Sequence, residues 1–318
     1  MPDTARRAPL PPAQSPFAAD LAAGLAARPK RLAPKYFYDA AGSALFEEIT
    51  RQKEYYPTRA EMEILRAHAA EIGALVPEGA ALVEFGSGSS AKVRLLLDAM
   101  PGLAAYVPVD ISGDFLTQAA AALRAEAPGL AVLPVAADFT QPFALPEAVR
   151  GRPLVGFFPG STIGNFDPDA ARAFLAHARR TLGAGSRFIV GVDLVKDPRL
   201  LDAAYNDAAG VTARFNLNLL ARANRELATD FDLAAFTHRA VFNAPARRIE
   251  MHLVSRRAQA VHLAGRAFPF AAGESLHTES SYKYTPDGFR DLAAAAGWTP
   301  GRLWTDAAGL FSVHVLAA

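Results

Sequence analysis

The chain has 318 residues, enough for one large domain or two modest ones. Lys plus Arg total 33 against 32 Asp plus Glu, a net charge of +1, and no run of like charge suggests a nucleic-acid surface or a polybasic membrane patch. The absence of cysteine excludes disulfide frameworks, zinc ribbons, iron-sulfur clusters and thiol nucleophiles, and no apolar stretch approaches the ~18 residues of a membrane span. A soluble globular protein is expected, its chemistry supplied by oxygen, nitrogen and a bound cofactor.

The proline-rich segment Met1–Pro16 reads as a disordered lead-in without the apolar core of a secretory signal. Apolar residues at helical spacing predict a helix over 17–27, a second over 43–51 and a third over 57–75, the last opened by Pro57 with Glu61 and Glu63 close behind. From residue 80 strands and helices alternate. Strands are predicted at 81–85, 105–109, 130–136, 154–158 and 187–194, with helices at 91–99, 112–125 and 168–181 between them. That pattern predicts a parallel sheet covered by helices on both faces, with ligands at the carboxyl ends of its strands.

After Val195 the alternation stops. Residues 198–227 read as helical with an interruption near Gly210, a short helix follows at 233–236, and period-two segments follow at 240–242, 248–256 and 259–263. In the middle segment Ile249, Met251 and Leu253 alternate with Glu250 and His252, as in a half-buried antiparallel strand. A helix at 287–296 and strands at 301–305 and 311–316 then supply the closing elements of the parallel sheet, about 90 residues late by comparison with the usual short connections. The intervening residues therefore predict an inserted α+β domain. The expected division is 59–196 plus 285–318 for the sheet domain and 17–58 plus 197–284 for the second.

The strongest chemical signal is Val83-Glu84-Phe85-Gly86-Ser87-Gly88-Ser89-Ser90, after a strand and before a helix. Gly86 and Gly88 permit a tight turn and close approach of the backbone to a ligand. The third glycine of a dinucleotide fingerprint and the Gly-Lys-Ser/Thr of a phosphate loop are both missing. A carboxylate just before the turn suits a cationic ligand group, such as the amino acid end of S-adenosylmethionine. Asp110 ends the second strand, where it can accept from both ribose hydroxyls. Asp138 and Phe139 follow the third, placed for an adenine amino group and ring, and Lys92 can pair with the methionine carboxylate. The bland alternative makes Asp110 and Asp138 helix caps. The fourth strand runs into Gly160-Ser161-Thr162-Ile163-Gly164-Asn165, which offers carbonyls and an amide beside a presented methyl group or, on backbone grounds alone, simply turns the chain with Asn165 as a cap.

Five separated motifs share a resemblance. They are Pro34-Lys35-Tyr36-Phe37-Tyr38-Asp39 with Gly42-Ser43-Ala44-Leu45-Phe46; Glu54-Tyr55-Tyr56-Pro57-Thr58-Arg59; Gly160 to Asn165; Tyr205-Asn206-Asp207-Ala208-Ala209-Gly210-Val211-Thr212; and His277-Thr278-Glu279-Ser280-Ser281-Tyr282-Lys283-Tyr284. Together they resemble the L-histidine N-alpha-methyltransferases of ergothioneine biosynthesis, from about residue 17 to the end. The resemblance implies a Rossmann-like class I methyltransferase sheet carrying a second α+β substrate domain after its fifth strand. It also implies three methyl transfers from S-adenosylmethionine to the alpha-amino nitrogen of L-histidine, giving hercynine. Tyr55, Asn165 and Tyr205 would hold the substrate carboxylate, Glu279 and Ser281 the imidazole, while Tyr38 and the Gly160 carbonyl would lie near the amino group.

Neutral phenol and amide donors fit such a carboxylate, because a cation there would repel the sulfonium. Glu beside Ser suits an imidazole, one accepting from a ring N–H and the other serving either tautomer. Met251 and Phe215 line or support the ring pocket, or serve packing alone. Without the resemblance, Tyr55 and Tyr205 read as packing contacts and Glu279 as a solvated strand residue. None of the seven histidines has metal-ligand spacing, so no metal is expected. Related family members act on other amino acids such as tryptophan derivatives, which is the alternative substrate class. A cytoplasmic monomer without nucleic-acid or membrane partners is expected.

Overall fold

The computed structural model describes residues 15–88 and 91–318. In chain order, α1 (Pro16–Ala26), a short β1 (Lys30–Arg31), α2 (Ala40–Thr50) and α3 (Tyr56–Gly73) come first. Alternating elements follow: β2 (Ala81–Phe85), α4 (Ala91–Asp98), β3 (Ala105–Asp110), α5 (Gly113–Glu126), β4 (Ala131–Val132), β5 (Val135–Ala136), β6 (Leu154–Phe158), α6 (Pro168–Leu182) and β7 (Arg187–Asp193). Helices α7 (Pro198–Tyr205) and α8 (Val211–Leu227) precede β8 (Phe236–Asn243), β9 (Arg248–Ser255), β10 (Gln259–Leu263), β11 (Arg266–Phe270) and β12 (Ser275–Tyr282). The last elements are α9 (Pro286–Ala295), β13 (Thr299–Thr305) and β14 (Phe311–Ala317).

The larger of two compact units comprises Glu47–Tyr205, Phe242–Ile249 and Ser280–Ala318. Its sheet runs β13-β14-β7-β6-β2-β3-β4, with β5 also on β3. Strands β7, β6, β2, β3, β4 and β5 are parallel, and β14 is antiparallel to both β7 and β13. Alternate side chains divide two apolar cores. Val83, Phe85, Val107, Phe158 and Phe188 pack with Phe174 and Leu175 of α6 and Phe289 of α9, whereas Leu82, Tyr106, Val155 and Phe157 pack with Ile64 and Leu65 of α3, Leu96 of α4 and Leu123 of α5. This is the Rossmann-like class I methyltransferase architecture. From β2 the chain proceeds through β3 to one edge and then returns to β6 on the other side, which makes the carboxyl ends of β2 and β6 the topological switch point where ligands of such sheets bind.

The smaller unit comprises the described residues of Met1–Phe46 with Asn206–Val241 and Glu250–Glu279. A four-stranded sheet ordered β1-β12-β9-β8 runs through it, beside the hairpin β10-β11. The alternation expected in β9 is present, with Ile249, Met251 and Leu253 buried.

Several expectations are corrected. Residues 1–14 of the expected lead-in lie outside the described residues, but Ser15 and Pro16 begin α1, with the Ser15 hydroxyl accepting from the Ala18 N–H at 3.1 Å. The single strand predicted over 130–136 is split into β4 and β5 by Leu133-Pro134, because proline has no N–H to give the ladder. Strands β11 and β12 are additional: Pro269 breaks the apolar pattern of one, and polar residues dilute that of the other. Residues 47–58, 197–205, 242–249 and 280–284 belong with the sheet unit rather than the inserted one. Tyr56, Tyr205 and Lys283 explain part of this, since all three enter one buried network at the end of β7.

Candidate active site

The turn after β2 is built for close approach. Gly86 has φ +78°, where only glycine is unstrained, and a Cβ there would come within 3.3 Å of the Phe139 ring. A Cβ at Gly88 would meet nothing within 4 Å, and Ser89 and Ser90 of the motif lie outside the described residues. Glu84 is buried just before the turn, where the Tyr106 hydroxyl donates to its carboxylate and the Ser87 hydroxyl lies 3.2 Å from that of Tyr106. Burial pushes the Glu84 carboxyl up to about 7, against the pull of Tyr106 and Lys92. A buried carboxylate held this way gains from an arriving cation.

Asp110 lies at the carboxyl end of β3. One of its oxygens accepts from the Ser112 N–H at 2.8 Å, and burial raises its carboxyl. Asp138 accepts from the Thr140 N–H at 3.0 Å and the Thr140 hydroxyl at 2.5 Å. Both acids therefore brace local turns as well as bordering the strand ends. The Phe139 ring sits beside Gly86 and packs edge-on against Phe85, Phe158 and Phe174.

Lys92 has a protein partner that the residue pattern did not disclose. Its ammonium lies 2.5 Å from Glu61, whose side chain is fully buried. Both Glu61 oxygens also accept from the Gly160 N–H, at 2.9 and 3.0 Å. Glu61, read from sequence as a helix-start acid, thus ties the cation after the glycine turn to the peptide following β6. Gly160 has φ +75°, and a Cβ there would lie 3.4 Å from the Lys92 nitrogen. Ser161 is left-handed at φ 56°, a conformation costing about 1–2 kcal/mol for a residue with a Cβ, and its hydroxyl accepts from the Asp193 N–H at 2.9 Å. Asn165 ends the short 3-10 turn Thr162–Asn165, half-buried. The cap of α6 is Asp167, not Asn165, which removes the capping alternative for the asparagine.

A second buried network occupies the end of β7. Asp193 accepts from the Tyr56 hydroxyl at 2.8 and 2.9 Å and from Lys283 at 2.8 Å, and also pairs with Lys196. Burial would raise the Asp193 carboxyl, but the two ammonium groups outweigh it and hold it below the usual range. Burial pushes Lys196 down to about 8 despite Asp193, and burial with the nearby Asp193 charge raises the Tyr56 phenol. Lys283 also donates to Ser281 at 2.8 Å and to Tyr205 at 3.3 Å, and Tyr205 donates to Ser281 at 2.8 Å. The Tyr55 ring stands edge-on to Tyr205 at 6.5 Å. Tyr55, Tyr205 and Ser281 are thus brought together, with the Lys283 ammonium beside the last two.

In the smaller unit, Tyr38 is half-buried with its ring edge-on to Phe46 and Phe215, and Phe37 stacks on Phe215 at 4.5 Å. Glu279 is 9% exposed, not solvated, and lies two residues before Ser281 on the same side of β12. Met251 is buried, and its carbonyl accepts from the Thr278 hydroxyl.

Residues 17–318 match the family described as histidine-specific, S-adenosylmethionine-dependent methyltransferases. The chain belongs to this family. It is 48% identical over 302 residues to a histidine N-alpha-methyltransferase of Mycolicibacterium smegmatis, covering 93% of both chains. A protein of the same description from Mycobacterium tuberculosis is 44% identical over 94% of both chains. Ergothioneine biosynthesis protein 1 of Neurospora crassa is 35% identical over 62% of this chain and 23% of its own length.

The methyltransferase's donor is S-adenosylmethionine, and the residues at the switch point fit it. Glu84 offers a buried acceptor for an ammonium, Gly86 leaves a cradle that a side chain would disturb, and Asp110 and Asp138 place acceptors at the two following strand ends. The residues missed by motif reading are Tyr56, Glu61, Asp193, Lys196 and Lys283. Asp193 alone carried a usable signal, being an acid at the carboxyl end of a parallel strand.

Proposed function

We propose that this methyltransferase converts L-histidine to hercynine by three successive methylations of the alpha-amino nitrogen, a step of ergothioneine biosynthesis. The observation that carries the reading is the neighbouring placement, at the ends of β2 and β6, of a donor turn and a glycine-rich loop linked through Glu61, in a member of a histidine-specific family. Bound S-adenosylmethionine supplies an electrophilic methyl group. Glu84, Gly86, Gly88, Lys92, Asp110, Asp138 and Phe139 are assigned to hold it, Glu84 taking the ammonium.

Tyr55, Asn165 and Tyr205 are assigned to the substrate carboxylate and Glu279 with Ser281 to the imidazole. Tyr38 and the Gly160 carbonyl are assigned to the amino group, which must be neutral to attack. No strong base is required, because partial desolvation lowers an amine's pKa and in-line placement carries most of the catalysis. Among the described residues no helix is long and apolar enough to cross a membrane, and a cytoplasmic monomer is the form proposed.

Competition among equimolar histidine, tryptophan and tyrosine, with methylated products quantified, tests the substrate. Histidine should dominate by at least a hundredfold, because a ring lacking the second nitrogen leaves a buried polar partner unpaired. Preferred methylation of tryptophan or a derivative would overturn the assignment of Glu279 and Ser281.

A further inference from the structure

The parallel pairing of β1 with β12 stops early. Its register sets Lys30 beside Leu276 and Arg31 beside His277, and the Leu32 N–H donates to the His277 carbonyl at 2.9 Å. In a strand the N–H and C=O of one residue face the same neighbour, and that direction recurs at every second position. The Glu279 carbonyl therefore faces the same edge as that of His277, and continued register would bring it the N–H of residue 34. Residue 34 is proline, which has no N–H, and there the chain turns into the 3-10 helix Pro34–Phe37 that leads to Tyr38.

His277 supplies the donor instead. Its side chain lies on the same side of β12 as that of Glu279, and its Nε2 is 2.8 Å from the Glu279 carbonyl. A carbonyl only accepts, so Nε2 carries the hydrogen. The ring is braced by that of His252 on β9, with centroids 5.0 Å apart and planes inclined at 31°. We infer that His277 is a positioning residue that replaces the main-chain donor Pro34 cannot provide, holds the Glu279 peptide at the sheet edge, and so fixes the carboxylate that selects the histidine ring. The inference rests on the proposed contact of Glu279 with the imidazole.

Burial gives this anchor its weight. Glu279 is 9% exposed, so a carboxylate turned away from its ring N–H finds little water to compensate it. Any rotation of the peptide at the sheet edge is carried along the Glu279 side chain to the carboxylate, and a hydrogen bond weakens steeply once it is bent. The same arrangement serves the segment before Tyr38. With His277 in place, residues 33 and 34 leave the ladder without stranding the Glu279 carbonyl.

The test measures histidine affinity by calorimetry in the full chain saturated with S-adenosylhomocysteine. His277→Gln places an amide nitrogen near the former Nε2 and keeps a donor there, whereas the shorter His277→Asn places it near the former Nδ1, and His277→Leu has no donor. The Leu and Asn variants should bind histidine about 3- to 10-fold more weakly, the worth of one neutral hydrogen bond, while the Gln variant should stay within about twofold of the native protein. Affinity for S-adenosylhomocysteine without histidine should change less than about twofold in all three. In a Glu279→Ala background, where no carboxylate remains to be positioned, His277→Leu and His277→Asn should have no further effect on histidine binding. Native histidine affinity in His277→Asn, a loss in His277→Gln as large as in His277→Asn, or the same further loss in the Glu279→Ala background overturns the inference. The comparison of Asn with Gln stands even if His277→Leu does not fold. Unchanged histidine affinity in Glu279→Ala alone fails the substrate assignment, and the inference with it.

Discussion

Replacing Glu84 with glutamine should strengthen the fold while weakening the site. The carboxyl is buried and its proton affinity is raised from 4.5 to about 7. Between those values the folded protein keeps a proton that the unfolded chain has released, so stability is lost as pH rises from 4.5 through 7. The gap corresponds to about 3 kcal/mol, fully lost above pH 7. Glutamine carries no charge to desolvate and still offers an oxygen to the Tyr106 hydroxyl. At pH 8 the variant should be more stable than the native protein by about 3 kcal/mol, or roughly 5–8 °C in Tm for a chain of this size. At pH 4.5 the two should nearly coincide. Loss of the charged partner for the donor's ammonium should weaken S-adenosylmethionine binding about 10- to 150-fold, matching about 1.5–3 kcal/mol for a charge-assisted hydrogen bond. Urea denaturation at both pH values, with calorimetry of donor binding, reads both effects. A variant no more stable than the native protein at pH 8, or a stability difference independent of pH, would refute the reasoning.

Other substitutions separate the parts of the site. Glu61→Gln removes the charge that holds Lys92 and should cost about 3 kcal/mol in denaturant unfolding. It should also lower kcat by at least tenfold, because the Gly160 peptide loses its two-oxygen anchor. Gly86→Ala should cost about 1–2 kcal/mol for the left-handed backbone and weaken donor binding in calorimetry, with the Phe139 ring displaced. Glu279→Ala should raise the KM for histidine by about 10- to 100-fold, while the Kd for S-adenosylmethionine measured without histidine changes less than about twofold.

The parallel sheet was legible because its strands are short apolar runs separated by amphipathic helices, a pattern generated by burial on both faces. The placement of Glu84, Gly86 and Asp110 at strand ends was legible for a related reason, since the ends of such strands are where this topology presents ligand groups. Pro134 shows the limit of that signal, splitting a strand that hydropathy alone joins. Tyr56, Glu61, Asp193 and Lys283 were harder to see because their partners are remote in sequence. Asp193, for example, meets Tyr56 across 137 positions. Glu61 in particular resembles an ordinary acid near a helix start until folding buries it against Lys92 and Gly160. The domain division failed at its edges for the same reason, since Tyr56, Tyr205 and Lys283 are drawn into the network around Asp193.

The most direct measurement is product analysis after incubating the purified protein with L-histidine and excess S-adenosylmethionine. Mass spectrometry should show addition of three methyl groups, and proton NMR should place all three on the alpha nitrogen as one nine-proton singlet with the ring signals retained. A folded preparation that binds the donor yet yields no methylated histidine, or that methylates the ring, would contradict the proposed activity.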